Sequence, residues 1–198
     1  MIDRRRFGVS VAALAAALMP GLAAGAELGD NGLHVQPWFM QTFLDLAEDK
    51  AEAEAEGKHF AILFEQRGCP YCRELHEVNL ARPQIASFFA SEFGVLQLDL
   101  WGSREVTDFD GETLEERELA RKWGVNFTPT IVFFATGGDA ADPKSLEAVR
   151  MPGYFKPFHF VTMLEFVAED GYARQPFQRY LQEKFARYEK EGKVPDLW

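Results

Sequence analysis

A chain of 198 residues, of which 47% are hydrophobic and 14% aromatic, is long enough to bury a core and short enough for one domain. Its formal net charge of −10 argues against nucleic acid or an anionic lipid surface as a partner. Two cysteines are too few for a disulfide-rich scaffold and for the thiolate ligands of a zinc or iron–sulfur site, so we expect no metal.

Residues 1–26 have the pattern of an export signal peptide. Three arginines at 4–6 precede a small apolar run over 9–18, and an Ala-Gly-Ala cleavage site ends at Ala26. The Arg-Arg-x-Phe pattern resembles the twin-arginine class, and general secretion stays open as a route. A membrane anchor is the alternative, although the run is short beside a spanning helix of about 20 residues. We predict a periplasmic protein with a single domain over 27–198 and no stable membrane insertion after cleavage.

Helices and strands alternate in the first half of the mature chain. Helical periodicity predicts a helix from Pro37 that fades before Gly57, and an unbroken apolar run predicts a buried strand at 60–66. A helix from Pro70 to about Leu80 restarts at Pro83, and leucines at 96, 98 and 100 alternate with polar residues, as in a strand. The crossover between the two strands is long enough for parallel pairing.

Residues 102–112 are polar and irregular. Their acidic spacing does not fit an EF-hand loop, so we interpret them as an acidic loop with an Asp-Gly turn. Thr113 and Glu116 form a capping-box pattern, which predicts a helix that ends at Gly124.

The last third of the chain predicts a hairpin and two helices. Pro129 heads an apolar run, and because proline cannot donate to a sheet ladder it belongs at the start of that strand. Gly137 begins a loop to an antiparallel strand near 147–151. Helical stripes then begin at Pro157 and Pro176, and we interpret both as core-facing.

The Cys69-Pro70-Tyr71-Cys72 motif lies where the first long strand passes into a helix. A helix N-terminus stabilises an anion, and the nucleophilic form of cysteine is the thiolate, so Cys69 is the candidate nucleophile. Residues three apart in a helix lie about 5–6 Å apart, which permits a disulfide. A purely structural disulfide is the alternative, but closing so short a loop contributes only about 2 kcal/mol.

The order of these elements resembles the thioredoxin fold over about 37–167. Two separated features carry the resemblance: Cys69-Pro-Tyr-Cys72, and Thr128-Pro129 at the head of an apolar strand, where that family places a cis-proline beside its active site. The residues around the cysteines, the 101–111 segment and Phe127-Thr-Pro-Thr further resemble SoxW-type exported thioredoxins. The resemblance implies an α/β fold whose central mixed β-sheet is flanked by helices, here with an extra C-terminal helix.

The resemblance also implies a function. The expected protein is a monomeric disulfide reductase that acts on exported partner proteins, receives electrons from a membrane thiol-disulfide transporter, and needs no cofactor beyond its own Cys69–Cys72 disulfide. We expect Cys69 to attack and Cys72 to resolve the mixed disulfide. The residues expected to contact the substrate are Pro70, Tyr71, Thr128 and Pro129. A thiol oxidant or isomerase of the Dsb class and a non-catalytic binding module are the alternatives.

One position departs from the thioredoxin pattern. Thioredoxins carry a buried carboxylate six residues before the first active-site cysteine, where this chain has Leu63. Glu65, on the same strand face, is a candidate proton acceptor for Cys72, although the sequence favours a solvated carboxylate at the strand's end. His76, one helical turn after Cys72, is a candidate for tuning the thiols, although a partly exposed helix histidine is the favoured interpretation.

Overall fold

The structure, a computed structural model, describes residues 27–138 and 143–193. Its strands are β1 (Glu27–Leu28), β2 (His34–Val35), β3 (His59–Glu65), β4 (Phe93–Asp99), β5 (Glu105–Thr107), β6 (Thr113–Glu115), β7 (Thr130–Phe134) and β8 (Glu147–Pro152). Its helices are α1 (Leu46–Ala55), α2 (Pro70–Glu74), α3 (Pro83–Glu92), α4 (Glu116–Lys122), α5 (Pro143–Leu146), α6 (Pro157–Ala168) and α7 (Phe177–Lys190). A π-helical turn, Leu75–Asn79, continues α2, and a 3₁₀ turn, Gly171–Ala173, follows α6.

Four strands form a central mixed sheet in the order β4-β3-β7-β8. Strands β3 and β4 are parallel, whereas β7 is antiparallel to both β3 and β8. The predicted parallel pair and the predicted hairpin are therefore confirmed. The pairs β1-β2 and β5-β6 are separate antiparallel ribbons.

The central strand β3 is buried on both faces, which explains the unbroken apolar run over its residues 60–64. On one face Leu63 belongs to a core cluster with Phe89 of α3 and Phe160 of α6. On the other face Phe64 belongs to a cluster with Leu119 of α4. Helices thus cover the sheet on both sides, as the α/β prediction requires.

The predicted helix from Pro37 is wrong over its first half, because α1 begins only at Leu46. The Asp45 side chain accepts two backbone N–H groups of the first turn, which defines the helix start there. The segment before it runs along the sheet edge instead, where the Met40 N–H donates to the Val95 carbonyl at 2.8 Å.

The structure also corrects the interpretation of 102–112. These residues contribute β5, and β6 follows the Asp-Gly turn. The capping box predicted at Thr113 and Glu116 is wrong, because Thr113 is paired within the ribbon and the N-cap falls on Glu115. There the Glu118 carboxylate accepts the Glu115 N–H at 3.4 Å. The predicted end of this helix at Gly124, whose φ is +66°, is confirmed.

The helix α7 packs on α6 as an additional C-terminal layer. Ring centroids lie 4.7 Å apart for Phe158 and Phe185 and 5.2 Å apart for Phe166 and Tyr180. Within the two described ranges, no helix has both the length and the apolar character to cross a membrane. The predicted signal peptide, 1–26, lies outside the described residues.

Asp49 is a buried carboxyl group on α1 whose oxygen accepts the Thr42 hydroxyl at 3.0 Å. Burial, with the neighbouring acidic residues Asp45, Glu52 and Glu48, raises the pKa of Asp49 to about 6, despite the Thr42 hydrogen bond. Between about pH 4 and pH 6 the native state therefore holds a proton that the unfolded chain has released, so this group's contribution to stability falls as the pH rises.

We expect Asp49→Asn to stabilise the protein at pH 7 by about 1–2 kcal/mol and to leave its stability near pH 4 unchanged. The amide oxygen still accepts the Thr42 hydroxyl, while the buried charge is removed. Urea unfolding of both proteins from pH 4 to pH 8 measures the difference. Glu189→Gln, at an exposed carboxylate on α7 that is not among the groups acting on Asp49, is the control and should show no such pH-dependent gain. An equal effect of the two substitutions would contradict the assignment.

Candidate active site

The two cysteines form a disulfide at the junction of β3 and α2, with their Cα atoms 5.2 Å apart. Gly68, whose φ is +72°, turns the chain after β3. Cys69 then takes the N-cap position in extended backbone, and Pro70 is the first residue of α2, where a missing N–H costs nothing. The predicted placement of the motif at a strand-to-helix step is therefore confirmed.

The two sulfurs have different surroundings. Both are largely buried, but Cys69, 6% exposed, borders an open cavity of about 450 Å³, whereas Cys72, 1% exposed, does not line that cavity. The Cys72 N–H donates to the Cys69 sulfur at 3.0 Å. Attack from outside therefore falls on Cys69, and a Cys69 thiolate would keep this backbone donor.

The Thr128-Pro129 pair lies directly against the disulfide. The Thr128 hydroxyl donates to the Cys69 sulfur at 3.3 Å, although the two residues are 59 positions apart. The peptide bond between Thr128 and Pro129 is cis. The Gly153 N–H fixes this loop by donating to the Pro129 carbonyl at 2.7 Å. The structure thus brings together the two motifs that the sequence analysis singled out.

Exposed apolar side chains stand beside these groups. Tyr71 is 59% exposed, and Phe127, immediately before Thr128, is 68% exposed. Trp101 is 68% exposed, and its indole N–H donates to the Gln66 side chain at 2.7 Å, next to the cysteine loop. Large apolar side chains exposed together are typical of a surface that meets a partner.

The interpretation of Glu65 as a solvated carboxylate and of His76 as a partly exposed histidine is wrong, because both side chains are fully buried. Glu65 is 0% exposed and His76 is 1% exposed. The His76 Nε2 atom lies 3.2 Å from Glu65 Oε2, which also accepts the Gln97 amide at 2.5 Å. The other imidazole nitrogen lies 3.1 Å from the Gln36 amide. We call α2 together with its π-helical turn, Leu75–Asn79, the redox helix. A buried polar cluster therefore joins the redox helix to β3 and β4.

This cluster contains unsatisfied groups. Glu65 Oε1 and His34 Nδ1 are buried without a hydrogen-bond partner among the described residues. Burial, together with the nearby His76, lowers the pKa of His34 below its ordinary value. An unpaired carboxylate oxygen inside a protein costs folding free energy.

Asn79 anchors the far end of the redox helix. It is fully buried in the π-helical turn, and its amide donates to the Phe155 carbonyl at 2.8 Å. Its side-chain oxygen accepts the Tyr154 hydroxyl at 3.0 Å, and the Tyr154 ring stacks with Tyr71 at 6.4 Å. The cysteine motif is thus connected to the loop before α6.

Sequence reasoning found the cysteines, Thr128 and Pro129 but missed several residues of this site. Gln97 was interpreted as a polar position of an alternating strand, whereas it contacts Glu65. The parallel register pairs Leu63 with Gln97, which places Gln97 on the face of β3 that Glu65 occupies, and this register is visible only in the structure. No local pattern marks Gln36 or Asn79, because their partners are distant in sequence.

The family profile described as a thioredoxin-like domain matches residues 46–168, more than half of the chain. Among curated proteins, the chain is 31% identical over 141 residues to protein disulfide-isomerase from Oryctolagus cuniculus. The match covers 71% of this chain but 23% of that protein, so the chain spans less than a quarter of the relative's length.

Solved structures are similar in fold. A thioredoxin-fold protein from Helicobacter pylori has a TM-score of 0.51 at 23% identity and covers 68% of this chain and 83% of its own. A thioredoxin from Thermus thermophilus has a TM-score of 0.48 at 26% identity. It covers 64% of this chain and 86% of its own. The predicted thioredoxin-like fold is confirmed. Since the matched profile spans the cysteine motif, the proline loop and the sheet between them, the chain belongs to the thioredoxin-like domain family.

Proposed function

We propose that this protein is a thiol-disulfide oxidoreductase that reduces disulfides in exported partner proteins. The observation that carries the proposal is the asymmetry of the redox pair, in which Cys69 borders an open cavity and Cys72 is buried behind it. A structural disulfide has no need of one reachable sulfur beside a polar hydroxyl and a proline loop. A nucleophile and its resolving partner need this arrangement.

The reaction begins with the reduced pair. The Cys69 thiolate attacks one sulfur of the partner disulfide, that S–S bond breaks, and a partner thiolate leaves. Cys72 then loses its proton and attacks the Cys69 sulfur, which releases the second partner thiolate and forms the disulfide seen in the structure. Two electrons pass from the dithiol to the partner.

The groups around Cys69 favour its ionised form. An unperturbed thiol with a pKa near 8.5 is only about 3% ionised at pH 7, so a pKa of 6–7 raises the reactive fraction more than tenfold. The Cys72 N–H and the Thr128 hydroxyl are hydrogen-bond donors for such a thiolate. A much lower pKa would weaken the nucleophile, so moderate stabilisation suits exchange.

The partner segment binds in an extended form along the Thr128-Pro129 loop. Proline has no N–H, so the strand end next to Cys69 stays open to an added strand. Pro70, Tyr71 and the neighbouring Phe127 provide apolar surface for the side chains of that segment.

Glu65 and His76 accept the proton that the Cys72 thiol loses before it attacks. In the reducing direction a buried thiol must lose its proton before it attacks, and the Glu65–His76 pair is a buried acid–base group joined to the same helical segment. The Glu65 Oε1 atom is a buried acceptor that no donor among the described residues occupies.

The site of action and the electron source are parts of the same proposal. Export by the 1–26 segment places the protein in the periplasm, where a membrane thiol-disulfide transporter returns it to the dithiol state. The resemblance of the cysteine motif and of the 101–111 segment to SoxW-type thioredoxins supports this direction. We propose that the protein acts as a monomer.

A Cys72→Ser variant should trap the partner, because the mixed disulfide on Cys69 is then not resolved. We expect covalent adducts that run as higher bands on non-reducing gels of periplasmic extract and disappear on reduction. Cys69→Ser is the matched control and should form no adducts. Equal adduct levels with both variants would show that Cys69 is not the nucleophile.

The reduction potential decides the direction of exchange. We expect a value near or below about −230 mV, measured by equilibration with defined dithiol buffers, since reductants lie in that range. A value near about −120 mV would instead assign the protein to the thiol oxidants. Intact biological activity in Cys69→Ala would leave only a binding role.

We expect Glu65→Gln to slow resolution of the mixed disulfide by about tenfold or more at pH 7 and to make it steeply pH-dependent. Removing the carboxyl group leaves Cys72 to ionise unassisted, so the rate should recover only towards the pKa of an ordinary thiol. Single-turnover rates from pH 5 to pH 9 measure this. Asp49→Asn, a buried carboxylate outside the active site, is the control, and matching pH profiles for the two variants would contradict the role.

A further inference from the structure

The cavity beside Cys69 is lined by basic and apolar groups. Its lining residues include His34, Arg67, Cys69 and Arg73, and no carboxylate is among the described residues that form its walls. Its volume of about 450 Å³ lies in the range of small-molecule sites. In a chain of net charge −10, two arginines that line the same cavity as Cys69 make a local positive region.

Arg67 is held in place without an acidic partner. Its Nε and Nη2 atoms donate to the Asn31 carbonyl at 3.3 and 3.1 Å, and no ion pair of Arg67 with a carboxylate is found in 27–138 or 143–193. Gly32, with φ of +74°, makes room for this side chain, since a Cβ there would come 2.9 Å from Arg67 Nε. Its charge is therefore held in place without a direct ion pair, although Arg67 also borders a second pocket whose lining includes Asp30, Asp99 and Glu116.

Arg73 lies on α2 and also lines the cavity. Its contact with Glu77 is long, 3.8 Å, and both side chains are more than half exposed, so the pair is weak. Neither Glu77 nor Glu74 lines the cavity. His34 is uncharged at neutral pH because burial lowers its pKa, so the two arginines supply the charge.

We propose that this cavity binds a small disulfide that carries carboxylates, whose anionic groups contact Arg67 and Arg73 while one of its sulfurs meets Cys69. The inference rests on the exchange chemistry proposed above and adds a substrate class to it. The Cys69 thiolate displaces one small thiol, Cys72 displaces the second, and two electrons pass from the protein dithiol to the small disulfide. The disulfide in the structure is the product.

The test compares three small disulfides of different charge. The reduced full-length protein is mixed with oxidised glutathione, which carries carboxylates, with neutral bis(2-hydroxyethyl) disulfide, and with cationic cystamine. Each second-order rate is divided by the rate with the neutral disulfide for the same variant. Intrinsic reactivity and any change in Cys69 nucleophilicity then cancel between variants.

We expect Arg67→Gln and Arg73→Gln each to lower the glutathione ratio by about two- to fivefold and to raise the cystamine ratio. Added salt should lower the glutathione ratio of the wild type in the same direction. Arg174→Gln is the matched control, because Arg174 also donates to a backbone carbonyl, that of Glu169, and does not line the cavity. It should change neither ratio.

Ratios that stay unchanged in both arginine variants would overturn the anionic substrate class. In that case exchange with all three disulfides and with a protein disulfide such as insulin would still proceed, and the proposed function would stand. Absence of exchange with every disulfide, protein or small, would instead overturn the proposed function itself.

Discussion

The antiparallel pairing of β3 with β7 is the constraint on which the active site depends. Its register places Phe64 opposite Thr130, so the end of one strand and the beginning of the other meet at the same edge of the sheet. Cys69 follows the first strand and Thr128 precedes the second, and the pairing brings them to 3.3 Å. A slip of one residue would turn every side chain of β7 to the other face and separate the two motifs.

Elements with strong local signals could be predicted from the sequence. Residues 60–64 of β3 form a continuous apolar run, α2 and α6 begin with proline, and α4 ends at glycine, so the local sequence marks a boundary of each element. Two predictions failed where tertiary contacts outweighed local pattern. The segment after Pro37 is apolar at helical spacing, yet the Met40 N–H pairs with the edge of β4, and the ribbon β5-β6 carries Thr113 past the expected cap.

The residues of the candidate site also differ in whether a local sequence pattern or a distant contact determines their position. The Cys-x-x-Cys spacing predicts the cysteine pair, whereas the placement of Thr128 and Pro129 at the site follows from the resemblance to the thioredoxin family. The burial of Glu65 depends on Gln97 and His76, which lie 32 and 11 residues away, and a carboxylate at a strand end gives no sign of such partners. A polar cluster buried beneath a redox pair costs folding free energy, so its presence fits a site where chemistry rather than stability decides the residues.

The anchoring of Asn79 bears on what happens when the disulfide opens. The π-helical turn that follows Cys72 is tied through this amide to the backbone of the segment before α6, and the Thr128-Pro129 loop is tied through Gly153 to the end of β8. Both walls around the sulfurs are therefore braced by the scaffold. Oxidised and reduced molecules would present nearly the same outline, and a partner would recognise the redox state by the sulfur atoms rather than by a change of shape.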